Sequence, residues 1–229
     1  MSEEYEPIYA PEPPAPRPWN EIWLSAITSP SVETFEEIAN DPNAKANRAF
    51  AWVFVSALVA YAIMMVLQFF VGGILGLSAF GMDEVMALFG ASIIIMICCA
   101  PIGGALAVLG FAINTGLSQL IAGLLGGTGT YDKLAYAFGS ITAPISLISS
   151  VLAPIPYLNC LGILLGFYVV VLNVIALKAV NQFDWGRAIL TYVIIWVGAI
   201  FIVACIFIFF LALLGPAIGN VFSEIMQSY

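Results

Sequence analysis

Four cysteines and one glycine-rich loop are the features of this sequence whose residue types could carry chemistry. Cys98, Cys99, Cys160 and Cys205 all lie in apolar stretches. The adjacent pair Cys98-Cys99 matches no metal-ligand spacing, so the cysteines read first as small buried hydrophobes. A disulfide between Cys160 and Cys205, both near the outer face in the topology below, is the alternative. The loop GGTGTYDK (126–133) has the glycine content of a phosphate-binding loop. It lacks the Gly-Lys-Ser/Thr ending, and no strand precedes it. It is therefore expected to be a turn between two helices, with Asp132 as N-cap and Tyr131 as an interfacial anchor. Histidine is absent from the chain. That excludes Ser-His-Asp and Cys-His hydrolases, His-ligated haem and His-based zinc sites. No catalytic residue, metal ligand or cofactor site emerges. The net charge of −8 excludes a phosphate-backbone binder, so no nucleic-acid partner is expected.

The elements that would position any site are membrane helices. The 229 residues are 62% hydrophobic and 9% charged, where a soluble domain carries about a quarter charged residues. A span needs about 20 apolar residues. Five stretches qualify: 49–71, from about 85 to 110, 134–153, 157–177 and 188–214. The fold class is all-α, a polytopic membrane protein with five transmembrane helices. Placing the N-terminus in the cytoplasm puts all six Lys and Arg on the cytoplasmic side and the C-terminus outside.

Other segments flank this core. Residues 1–18 form an acidic tail with six of the 13 prolines, expected to be extended and to be ordered by a partner. Residues 19–47 form an amphipathic interfacial segment. Trp19, Ile22, Trp23 and Ile27 fall at helical spacing, and Val32, Phe35, Ile38 and Ala39 share a second helical face. Ser29-Pro30 reads as the start of that second helix. Trp19, Trp23 and Phe35 are the candidate partner-binding residues. After the second span, 111–125 reads as an amphipathic extension at the interface, with Ile113, Leu117, Leu120, Ile121 and Leu124 on one face. The membrane domain is taken as 48–214, with a short outer tail at 215–229. Inside it, Gly162-x3-Gly166 is the candidate packing face and Asn173 a candidate interhelical hydrogen bond. Pro101 and Pro144 are candidate kinks.

Several motifs then stand in order: SPSVETFEEIANDP (29–42), GGTGTYDKLAYAFGSITAP (126–144), the outer turn with Pro154 and Pro156, and ALKAVNQFDWGRAI (176–189). Together, over about Trp19 to Leu214, they resemble bacterial members of the Yip1 domain family. The resemblance implies a five-helix membrane domain. Eukaryotic relatives sit in Golgi and ER membranes and associate with Rab GTPases. Their short Asp-Leu-Tyr-Gly-Pro motif does not occur here, so Rab binding is not carried over, and the family offers no catalytic residues to transfer.

No Asp, Glu, Lys or Arg lies inside the five stretches. Pumps, ion-coupled carriers and intramembrane aspartyl proteases place ionisable groups there. The functional expectation is a non-catalytic accessory or scaffold subunit of a larger assembly in a bacterial inner membrane, touching lipids and other membrane subunits. Electron-transfer complexes are one class that carries such subunits. The alternative is a transporter or lipid-handling protein, built around Pro101, Pro144 and Asn173.

Overall fold

The computed structural model describes residues 15–76 and 82–227. The tail over 1–14, with its expected ordering by a partner, lies outside the described residues. Within them every regular element is helical. Two short helices come first, α1 (Trp19–Thr28) and α2 (Val32–Ala39). Five long ones follow: α3 (Ala46–Gly76), α4 (Met82–Leu124), α5 (Tyr131–Leu152), α6 (Asn159–Asn181) and α7 (Trp185–Gln227). A 3-10 turn, Pro156–Leu158, joins α5 to α6. Each long helix holds a stretch able to cross a membrane: Ala46–Val71, Cys98–Leu124, Tyr131–Leu152, Cys160–Asn181 and Trp185–Gly215.

α5 is the centre. Its residues Leu134 to Ile141 are all buried. A helix apolar on every side is buried on every side, and here α1, α2, α3, α4 and α6 all pack on it. Small residues let α3 come close. A Cβ at Gly139 would stand 2.8 Å from Ala49 Cβ and 3.1 Å from its Cα. α3 also nests against α4, where Tyr61 and Phe54 lie over Gly103 and Gly104. α7 packs on α4 and α6.

The chain alternates direction, so one end of the bundle collects the start of α3, the end of α4, the start of α5, the end of α6 and the start of α7. This polar end carries Lys45, Arg48, Lys133, Lys178 and Arg187, and the α1–α2 pair with Arg17 lies over it.

Several expectations change. Residues 111–124 are not a separate surface element; they continue α4 without interruption. Phe111, Thr115, Ser118 and Ala122 face inward, while Ile113, Leu117, Leu120 and Leu124 point out. The amphipathic pattern is real but its apolar face meets lipid. Residues 215–227 likewise continue α7 rather than forming a tail. The N-cap of α2 is Ser31, not Ser29: its Oγ accepts the Thr34 N–H at 3.0 Å. Pro101 and Pro144 lie inside α4 and α5, the positions the kink expectation gave them. All four thiols are free and exposed on the bundle surface, so Cys160 and Cys205 are unbonded and none is buried.

The intended packing face also moves. Gly166 has nothing within 4 Å of a Cβ, and Asn173 makes no side-chain hydrogen bond among the described residues. The close approach falls on Gly139 instead. Gly139→Ala should therefore destabilise the bundle by about 1–3 kcal/mol through overpacking. Gly166→Ala should be neutral or stabilise α6 by up to about 1 kcal/mol. Thermal unfolding of both variants in detergent checks the contrast.

Candidate functional site: the interlocked polar end

The loop between α4 and α5 begins with a tight stop. Gly126 adopts a left-handed φ of 89°. The Gly127 N–H then reaches back to Ala122 O at 2.9 Å, and the Gly126 N–H to Gly123 O at 3.1 Å. This paired pattern is a Schellman ending, and glycine meets its demand for positive φ at least cost. α6 also ends in a left-handed residue, without a glycine and without the second bond of the pair, since the Gln182 N–H too bonds to Lys178 O. Gln182 takes φ 54° and ψ 40°, and the Phe183 N–H donates to Lys178 O at 3.2 Å.

The two endings lie against each other. A Cβ on Gly127 would fall 2.7 Å from Asn181 Oδ1 and 2.8 Å from the Phe183 ring. A Cβ on Gly129 would fall 2.7 Å from the Val180 carbonyl oxygen. The glycines of GGTGT thus allow backbone to approach backbone, with no open cradle left for a phosphate. Gln119 Nε2 clasps the joint, donating to Gly129 O at 2.7 Å and Asn181 Oδ1 at 3.1 Å. Thr128 N–H donates to Asn181 O at 3.4 Å. Arg187 Nη1 donates to Leu125 O at 3.3 Å, tying α7 to the end of α4.

The next three residues of the motif reach three other elements. The Tyr131 hydroxyl donates to Ala112 O at 3.3 Å on α4. Asp132 Oδ1 accepts the Ala46 N–H at 3.0 Å. It therefore caps α3 across 86 residues of sequence, while Thr130 holds the N-cap position of α5 that had been expected for Asp132. The carboxylate sits where the α3 dipole is positive. Lys133 Nζ donates to Asn40 Oδ1 at 2.7 Å, just past α2.

The α1–α2 pair closes this end. Asp41 is buried, and its carboxylate accepts the Asn43 N–H at 2.7 Å and the Arg17 N–H at 3.0 Å. The Arg17 guanidinium reaches Glu37 and Ser25, both at 3.3 Å. An open acidic groove lined by Arg17, Glu33, Glu36, Glu37, Asn40 and Asp41 runs along α2. The Glu33 carboxyl is held below its ordinary range, first by a backbone N–H and then by the Ser31 hydroxyl. That interaction favours folded α2 above the carboxylate range and is lost as pH falls through it.

Aromatic rings line the seam under α1. Trp19 and Trp23 lie 4.8 Å apart, Trp23 and Trp52 6.0 Å, and Trp52 and Tyr136 4.7 Å. Trp19 is 56% exposed and Trp23 half-buried. Phe35 is wholly buried in the chain's own core, so it is a packing residue and not available to a partner. Its spacing was right, but the face it marks turns towards α5 and α6. The sequence reading missed Asp132 as a cap for α3, Gln119 and Asn181 as the clasp, and Tyr136 as the largest buried side chain.

The interlocked residues are the quoted sequence motifs. GGTGTYDK meets NQFDWGR at the joint, and ANDP meets Lys133. The Yip1 domain model matches residues 24–222. The chain is a member of the Yip1 domain family. Neither the curated proteins nor the solved structures compared with it include a match. In this member the motif-bearing segments of the Yip1 domain serve to join five membrane helices at one end.

Two substitutions test the joint. Asp132→Ala should cost about 1 kcal/mol through loss of the α3 cap. Gln182→Gly should stabilise by about 1 kcal/mol, because the left-handed conformation penalises a side chain by roughly that much. Melting temperatures of the purified variants check both signs.

Proposed function

We propose that this Yip1 domain protein is a non-catalytic scaffold or accessory subunit of a larger assembly in a bacterial inner membrane. Its N-terminus is cytoplasmic and its C-terminus outside. The orientation is supported by the charge distribution: all six Lys and Arg belong to the polar end and its cover, as the positive-inside rule requires of a cytoplasmic face.

The scaffold reading is carried by one contrast. At the polar end the motif residues bond to one another and join helices. On α7, every residue from Ala199 to Gly215 is exposed, and none of those side chains is polar. The molecule is thus firmly self-joined at one end and presents a long unoccupied helix at the other. That suits a part that packs beside membrane neighbours.

The test is native mass spectrometry of the tagged protein extracted in a mild detergent. A stoichiometric membrane partner is expected. Deleting residues 1–14 spares Arg17 and its clasp, so the melting temperature should hold while partner recovery falls. A stable monomer from wild-type membranes would remove the scaffold reading.

A further inference from the structure

Independently of any partner, we infer that α1 is a lid that lifts from the Trp52–Tyr136 face and lets the Tyr136 hydroxyl donate to an oxygen of the lipid headgroup layer. Tyr136 is 0% exposed, and its hydroxyl has no hydrogen-bond partner. Trp23 Nε1 is buried and unpartnered as well. Both are donors, and a buried donor without an acceptor penalises the state that buries it. Both also flank one ring: Trp52 stands between Trp23 on α1 and Tyr136 on α5. α1 and α2 both pack on α5, the helix that carries Tyr136.

The closed position is held by few bonds. Ile22 and Ala26 are buried beneath α1. The Tyr168 hydroxyl donates to Ile27 O. Arg17 reaches Ser25 on α1 and Glu37 on α2 from the segment just before α1. α1 has ten residues and is set off from its neighbours by Pro18 and the Ser29-Pro30 turn, so it is a separate short element. With α1 lifted, the hydroxyl meets the headgroup layer, whose phosphate and ester oxygens are acceptors. Burial of Ile22 and Ala26 favours closing, and the unpaired donors favour opening.

Hydrogen exchange on the full chain in phosphatidylglycerol nanodiscs tests this. Tyr136→Phe removes one unpaired donor from the closed state, so α1 amides should exchange more slowly, by about tenfold. Arg17→Ala removes the latch, so the same amides should exchange faster while those of α5 keep their wild-type rates. Unchanged or faster α1 exchange in Tyr136→Phe would overturn the lid. A rise spread equally over α1 and α5 in Arg17→Ala would also overturn it, since cover and bundle would then open together.

Discussion

Eight consecutive residues of α5, Leu134 to Ile141, have no outward face, and the arrangement of the other helices follows from enclosing them. Lipid gives no hydrophobic reward for bringing two apolar helices together, so contact area and backbone approach decide who neighbours whom. The run LAYAFGSI answers that demand with small residues on the side that meets α3. Gly139 against Ala49 sets the closest approach. Tyr136, stacked on Trp52 of α3, and Phe138 are buried among the surrounding helices. The burial is concentrated in the half of α5 nearest the polar end. Ile148 and Val151, on its far half, are again exposed.

That concentration explains why the polar end needs so many specific bonds. Helix termini leave unsatisfied N–H and C=O groups. Here the Schellman ending of α4, the left-handed ending of α6, the Asp132 cap and the Gln119 clasp satisfy such groups within one layer. They do so where water is close enough to compete, so each bond is modest alone. Their joint effect is positional: each fixes the end of one helix relative to another. The exposed Asp184–Arg187 pair, at 3.4 Å, adds little energy; the bond from Arg187 to Leu125 O is what locates α7.

Hydropathy alone gave the number of spans, because bilayer thickness imposes a length that 20-residue apolar runs reveal directly, but it set the second at about 85–110 where the stretch is Cys98–Leu124. The paired faces of α2 were equally legible, Val32, Phe35, Ile38 and Ala39 against the glutamates. What Phe35 touches was not, since an amphipathic face can meet lipid, a partner or the chain itself with the same spacing. The segment 111–124 shows the opposite failure. Its pattern was read as an interfacial helix following a span that ended near residue 110. It is instead the last part of α4, with Thr115 and Ser118 turned inward while Leu117 and Leu124 turn out. Asp132 was misplaced for a different reason. A cap supplied from 86 residues away leaves no local signature beyond an Asp near a helix start, which is just as consistent with capping its own helix.

Helix length carries the last step. At 1.5 Å per residue, α5 and α6 are about 33 and 35 Å long, close to the roughly 30 Å hydrocarbon thickness. The Trp185–Gly215 stretch of α7 has 31 residues, or about 46 Å on the same rise. Its start is fixed beside Leu125 and Lys178. A stretch longer than the slab is accommodated by tilting among other means, and a tilted helix pinned at one end diverges from its neighbours with distance. The exposure pattern has this form: Thr191 is fully buried, Tyr192 and Ile195 are half-buried, and every residue from Ala199 to Gly215 is exposed. The mismatch between a short, closely joined α5–α6 pair and an overlong α7 is therefore sufficient to splay the far end open, with no distortion required at the joint itself.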